Sequence, residues 1–269
     1  MKPLLPEEVR QIQCELLQHV ADFCEASGLT YFLAYGTLIG AIRHDGFIPW
    51  DDDIDIAMPR QDYDKFVQSF NLHESHHRII DFSLDQNYGI SFAKVYDNRT
   101  WLYEYKYKED KFGVYIDLFP IDGVVGKWQM HKARIFDKLL HAKRANFKNR
   151  TLAKNLSNCI AKCLLYPFSI KDILRCVDKN VRQHLFGTTP YAGIMLETYG
   201  TCEVVETSVF SDTILHRFED GEYRIPIGYD RWLRSIYGDY MQLPPKEQQN
   251  AHHFYKAYWK DLNEDIKPL

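Results

Sequence analysis

The sequence predicts an α/β (α+β) fold, a mixed β-sheet flanked by helices and interrupted by a basic helical insertion. Three observations predict it. Apolar residues recur at helical spacing after Pro6 and again after Pro59, while runs rich in β-branched and aromatic residues read as strands between and beyond them. Residues 126–184 carry 14 Lys and Arg against three acids (Asp137, Asp172 and Asp178), a net +11 that leaves −15 on the rest of a chain of formal charge −4. The stretch from Tyr35 to Arg60, YGTLIGAIRHDGFIPWDDDIDIAMPR, joins a Gly-Thr turn to an acidic strand.

Taken in order, Pro6, Glu7 and Glu8 mark a helix start, with proline and acids in the first turn. Val9, Ile12, Leu16, Val20 and Phe23 make that helix amphipathic, and Gly28 stops it. Tyr31 to Tyr35 reads as a buried strand ending at Gly36, and Leu38 to Ile42 as a short helical turn whose leading N–H groups can hold an anion. Asp45-Gly46 is a turn signal, Pro49-Trp50 leads into the acidic strand, and Pro59 closes it. Tyr63, Phe66, Val67 and Phe70 mark the next helix.

Two strand pairs are expected to follow. Arg78–Leu84 and Ile90–Tyr96 are joined by Asp85-Gln86-Asn87; Trp101–Tyr107 and Phe112–Phe119 are joined by Glu109-Asp110-Lys111. The basic segment reads as helical throughout, with an apolar stretch from Ile160 to Phe168. Tyr229 to Tyr237 predicts a helix ended by Gly238, and Pro244-Pro245 an extended exit. His252 and His253 fall on an expected last helix.

Alternation along a strand puts Asp51, Asp53 and Asp55 on one face and Asp52 on the other. Like charges so close call for a cation, and hard divalent ions prefer oxygen ligands. Asp117 lies mid-strand in GVYIDLFPID, between Ile116 and Leu118, where a carboxylate is costly unless paired or metal-bound; an edge strand with Asp117 facing water is the alternative. A calcium loop is excluded, because its sixth position is Ile56 and its twelfth Asp62. His73 to His77 satisfies the HExxH pattern, but polar flanks and a strand-like continuation favour a chance match in a His-rich loop.

The six cysteines form no CxxC pair and read as reduced core residues of a cytoplasmic protein; Cys159 and Cys163 lack a second ligand pair for zinc. The N-terminus reads PEEVRQIQ, without the apolar region of a secretory signal. No apolar run approaches a membrane span. The charge balance gives no reason to expect nucleic acid. The basic segment suits either a surface for anionic lipid or a phosphate-bearing acceptor, or a solvated insertion.

The block GTLIGAIRHDGFIPWDDDIDIAMPR, with GVYIDLFPID downstream and YGDYMQLPP near the C-terminus, resembles the LicD family of phosphocholine transferases. That family belongs to the nucleotidyltransferase-fold superfamily, with the fukutin-related sugar-phosphate transferases. The resemblance implies a nucleotidyltransferase-like catalytic core at 1–125, a basic helical insertion at 126–190, and a part at 191–269 that completes the active site, together one compact unit. It implies transfer of phosphocholine from CDP-choline to a sugar hydroxyl of a lipid-linked or soluble glycan acceptor of teichoic acid or lipopolysaccharide type, releasing CMP. Such an enzyme would work in the cytoplasm or at the cytoplasmic face of the membrane.

Carried over by motif, Gly36 and Thr37 match the phosphate-holding turn, with Thr in place of the usual Ser or Gly. Asp53 and Asp55 match the metal-binding pair, and Asp117 the later carboxylate. Together these three are the expected catalytic and metal residues for two Mg²⁺ (or Mn²⁺) ions, with Asp51 as an outer neighbour. Arg43 and Lys94 are candidates for neutralising phosphate, with ordinary salt bridges as the alternative. Trp50, Trp101 and Tyr103 are candidates for an aromatic cage around the trimethylammonium, with core packing as the alternative. Transfer of another phospho-alcohol or nucleotide, and a non-catalytic choline- or glycan-binding role, stand as the competing readings.

Overall fold

A computed structural model describes residues 1–73, 75–85, 87–104, 112–144, 166–195, 199–249 and 255–260. A short strand β1 (Lys2–Pro3) precedes helix α1 (Pro6–Ser27), which has proline and two glutamates in its first turn. It ends where Gly28 takes a left-handed φ of 64° and closes the last turn with its N–H. Then come β2 (Phe32–Leu33), α2 (Tyr35–His44), β3 (Asp55–Pro59), α3 (Arg60–Ser69), β4 (His77–Ile80), β5 (Ala93–Asp97), β6 (Thr100–Glu104) and β7 (Tyr115–Val124). Helices α4 (Lys127–Arg144) and α5 (Ile170–Val181) follow. The rest comprises β8 (Tyr191–Gly193), β9 (Val205–Glu206), the hairpin β10 (Thr213–Phe218) and β11 (Gly221–Pro226), α6 (Tyr229–Tyr237) and β12 (Tyr255–Trp259).

The main sheet is mixed and runs β2-β3-β7-β5-β4, extended from β7 through β8 to β9. β3 and β7 are parallel, whereas β2, β5, β4, β8 and β9 join antiparallel. The parallel pair is bridged by a connection long enough to hold α3 and the β4–β5 hairpin. Helix α1 buries Val9, Ile12, Leu16, Leu17, Val20 and Phe23 in a core shared with Ile56, Met58, Ile116 and Leu118 of β3 and β7. A second apolar cluster joins α4 and α5, with Met130, Ala133 and Leu140 against Ile173, Leu174, Val177 and Val181. Among the described residues no helix is long and apolar enough to cross a membrane.

Several expectations need correction. The strand expected at Tyr31–Tyr35 is only Phe32–Leu33, because only those residues find a ladder against Ala57 and Ile56; Tyr35 already opens α2. The acidic strand begins at Asp55, so Asp51 to Asp53 lie in an irregular approach where strict alternation does not apply. β6 and β7 do not form a hairpin ladder. Leu102 N–H does donate to Phe112 O at 2.9 Å, but β6 takes β12 as its ladder partner and β7 takes β3, β5 and β8. Cys24 is a buried core thiol as expected, whereas Cys176 and Cys202 are exposed. Cys159, Cys163, residues 160–165 of the apolar stretch, His252 and His253 lie outside the described residues.

The start of α3 is tied to the centre of the sheet by a buried ion pair. Arg60 Nε and Nη2 donate to Asp122 Oδ1 and Oδ2 at 2.7 and 2.6 Å, a bidentate geometry with both side chains almost wholly buried. Removing one partner strands the other charge, so Asp122→Ala is expected to cost about 3–5 kcal/mol in urea unfolding. Arg60→Met combined with Asp122→Ala should cost less than the sum of the two single changes.

Candidate active site

The site is assembled by strand register. Asp55 on β3 pairs in register with Asp117 on β7, and Asp117 pairs on its other side with Lys94 on β5. Side chains directly opposite across neighbouring strands share a face, so two carboxylates and an ammonium stand in one row. Lys94 Nζ lies 2.5 Å from Asp117 Oδ1 and 3.5 Å from the ring centroid of Tyr115, nearly buried. The approach to β3 is pinned by α2. Thr37 Oγ1 accepts from Asp55 N–H at 2.8 Å, while Ala34 N–H donates to Asp55 O at 3.0 Å.

Burial, then repulsion from Asp53, Asp117 and Asp51, pushes the Asp55 carboxyl well above the ordinary carboxylate range, with Lys94 pulling it back down. The carboxylates of Asp51, Asp52 and Asp53 can each offer an oxygen within 4.8 Å of the others. Asp52 therefore does not point away from its neighbours as strand alternation predicted, although it faces an adjoining groove and not the cavity described next. An all-oxygen set whose charges disfavour one another is a fit for hard divalent cations.

Above the carboxylates is a cavity of about 720 Å³. Its acidic wall is Asp51, Asp53, Asp55 and Asp117; Gly36, Ile39 and Arg43 line it from one face of α2, and Trp50 from the approach. A side chain at Gly36 would collide with Asp51 Oδ2, so the bare backbone lets α2 approach the acidic segment. Arg43 Nη1 donates to Tyr240 O at 2.7 Å, which holds its guanidinium at the rim.

Of the other predicted residues, Thr37 is buried and uses its hydroxyl on the Asp55 backbone, not on the cavity. Lys94 reaches the site through Asp117 and does not line the cavity. Trp101 and Tyr103 lie on the separate β1-β12-β6 sheet, where Trp101 carries the Lys260 ammonium 4.0 Å from its ring and Tyr103 packs near Tyr258. They do not join the acidic cluster.

The opposite wall comes from the C-terminal part, which the sequence pattern did not resolve into individual site residues. Tyr199, Tyr237 and Tyr240 face the acidic wall together with Phe92 and Phe119. The hydroxyls of Tyr237 and Tyr199 are 3.2 Å apart, and the rings of Phe92 and Phe119 meet at 4.4 Å with their planes tilted by 36°. Beneath them Tyr35 holds a left-handed φ of 45°, a strained conformation for an aromatic residue, and its hydroxyl donates to the buried Glu203. The only sequence signal for this wall was the density of aromatics around YGDY.

The raised Asp55 has a consequence for stability. In cation-free protein, a carboxyl raised on folding costs stability as pH climbs from the ordinary carboxylate value through its folded value. Asp55→Asn is therefore expected to be more stable than wild type at neutral pH without divalent ions. That advantage should shrink as pH falls toward the ordinary carboxylate range, measured by urea unfolding across the pH series.

Residues 28–160 match the family described as LicD/FKTN/FKRP, nucleotidyltransferase domain. Lipopolysaccharide cholinephosphotransferase LicD of Haemophilus influenzae is 32% identical over 272 aligned residues, covering 96% of this chain and 99% of that protein. Human ribitol 5-phosphate transferase FKRP is 28% identical over 131 residues, 44% of this chain but 23% of its own length. With a relative of that identity along nearly its whole length, the chain belongs to the LicD family and is a phosphotransferase.

Proposed function

We propose that the enzyme moves phosphocholine from CDP-choline to a sugar hydroxyl of a cell-surface glycan precursor, of lipopolysaccharide or teichoic acid type, releasing CMP. One observation carries this reading: the in-register Asp55 and Asp117, with Asp53 beside them, face an aromatic wall across a single cavity. A diphosphate suits the acidic wall once its charge is matched by cations, and a trimethylammonium suits ring faces.

Asp53, Asp55 and Asp117, with Asp51 behind them, would hold the ions. Mg²⁺ or Mn²⁺, when bound, supplies Lewis acidity that neutralises phosphate oxygens and makes a nearby hydroxyl more acidic. Asp117, held in place by its hydrogen bond from Lys94, takes the proton of the acceptor hydroxyl. The freed oxygen forms a bond to the choline-bearing phosphorus as the bond to the CMP oxygen breaks, and CMP leaves with that electron pair. Arg43 at the rim stabilises charge developing on the leaving phosphate. Trp50, Phe92, Phe119, Tyr199 and Tyr237 orient the head group and exclude water from competing with the sugar hydroxyl.

The acceptor is a soluble or lipid-linked glycan. Contact with the cytoplasmic face of the membrane is supported by α4, where Trp128 and Ile135 are 71% and 57% exposed on a basic helix. A second reading, transfer of a different phospho-alcohol, draws on the human relative, whose name gives ribitol 5-phosphate; it leaves the aromatic wall without a cation to meet.

Two substitutions test the reading. Asp55→Asn should abolish CMP release from CDP-choline, Mg²⁺ and acceptor while circular dichroism stays unchanged; normal turnover would overturn the assignment. Trp50→Ala should weaken CDP-choline binding by up to about 2 kcal/mol and leave CMP binding nearly unchanged in calorimetric titration. Equal losses for both ligands would argue against a choline contact.

A further inference from the structure

The histidine run after α3 has no part in the cavity, yet it is not an idle loop. None of the described residues of the run is helical: His73 is extended, His76 lies in a bend and His77 opens β4, so the HExxH spacing finds no helical face among them. The fold instead brings His77 into register with Asp97, the last residue of β5. His76, His77 and Asp97 each offer a ligand atom within 4.8 Å of the others.

His77 is 6% exposed, and its Nε2 has no hydrogen-bond partner. The nearest Asp97 oxygen is 3.9 Å from it, beyond hydrogen-bonding reach. On the far side of the ring, His77 Nδ1 lies 2.8 Å from Nδ1 of His19 on α1. When His77 donates that hydrogen bond, its Nε2 carries a bare lone pair aimed toward a buried carboxylate. Asp97 Oδ1 accepts from Arg99 N–H at 2.8 Å and Nε at 3.0 Å, and Oδ2, the oxygen nearest that lone pair, accepts from Arg99 Nε at 3.0 Å and Nη2 at 2.5 Å. The Arg99 side chain is 41% exposed, so an ion at Oδ2 would take the place of a guanidinium free to swing into solvent.

We propose that His76, His77 and Asp97 bind a transition-metal ion of the zinc type, with His19 setting the His77 tautomer from behind. Two imidazoles and a carboxylate suit zinc and its neighbours better than Mg²⁺ or Ca²⁺. The N···O gap of 3.9 Å is spanned by metal bonds of about 2.0–2.2 Å each. His76 is exposed and offers a route for entry. An ion there would tie the edge strand β4 and the end of β5 to α1, away from the phosphotransfer carboxylates.

Calorimetric titration of the metal-free full chain with ZnCl₂ tests this. Wild type and Asp55→Asn should share one class of tight site. His76→Ala, which removes an exposed side chain and spares the core, should abolish that class while leaving CMP release in Mg²⁺ intact. His19→Phe should weaken it about 10–100-fold, as expected for the partner of a ligating histidine. Unchanged zinc affinity in His76→Ala, or loss of the tight site in Asp55→Asn, would overturn the proposal.

Discussion

Everything in the site depends on the parallel pairing of β3 with β7. That register sets Asp55 opposite Asp117, and β5 adds Lys94 on the far side. The row is electrostatically one-sided: a single buried ammonium faces Asp117 and tempers Asp55, while Asp51 and Asp53 add further negative charge nearby. A fold that holds carboxylates together against their own repulsion must supply the opposing free energy from its packing. The hydrophobic core supplies the rigidity, since Ile56, Ile116 and Leu118, on the same two strands, are wholly buried.

Much of this was legible in the sequence because the signals were local. The helix at Pro6–Ser27 announced itself by apolar spacing and a glycine stop, and the Asp55 and Asp117 strands by an acid set among β-branched neighbours. What failed was non-local. Nothing near Trp101 says that β6 will pair with β12, more than 150 residues away, and carry its aromatics away from the carboxylates. Asp52 does face a groove other than the cavity, but its carboxylate stays within reach of Asp51 and Asp53 because alternation holds only inside a ladder, and the ladder starts three residues later. Thr37 and Lys94 were recognised as relevant, but one acts on the Asp55 backbone and the other on the Asp117 side chain.

The aromatic wall was the least legible part. Tyrosines 199, 237 and 240 are dispersed through a region already rich in aromatics, where core packing explains most rings equally well. Their convergence depends on the buried contact between Tyr35 and Glu203, which locks the first turn of α2 to a segment far along the chain. Neither residue carries a local signal. A tyrosine held at positive φ and a glutamate with no exposed surface can be recognised only once the tertiary structure brings them together.

The cavity is thus built from two lengths of chain that lie far apart in the sequence. The family match ends at residue 160, which takes in every carboxylate of the acidic wall and stops short of Tyr199, Tyr237 and Tyr240. The carboxylates and the three tyrosines facing them therefore come from separate segments, although Trp50, Phe92 and Phe119 share the segment of the carboxylates, and the Tyr35–Glu203 contact links the two. Neither segment encloses the cavity alone, so the pocket comes into being only when the two lengths of chain fold against each other.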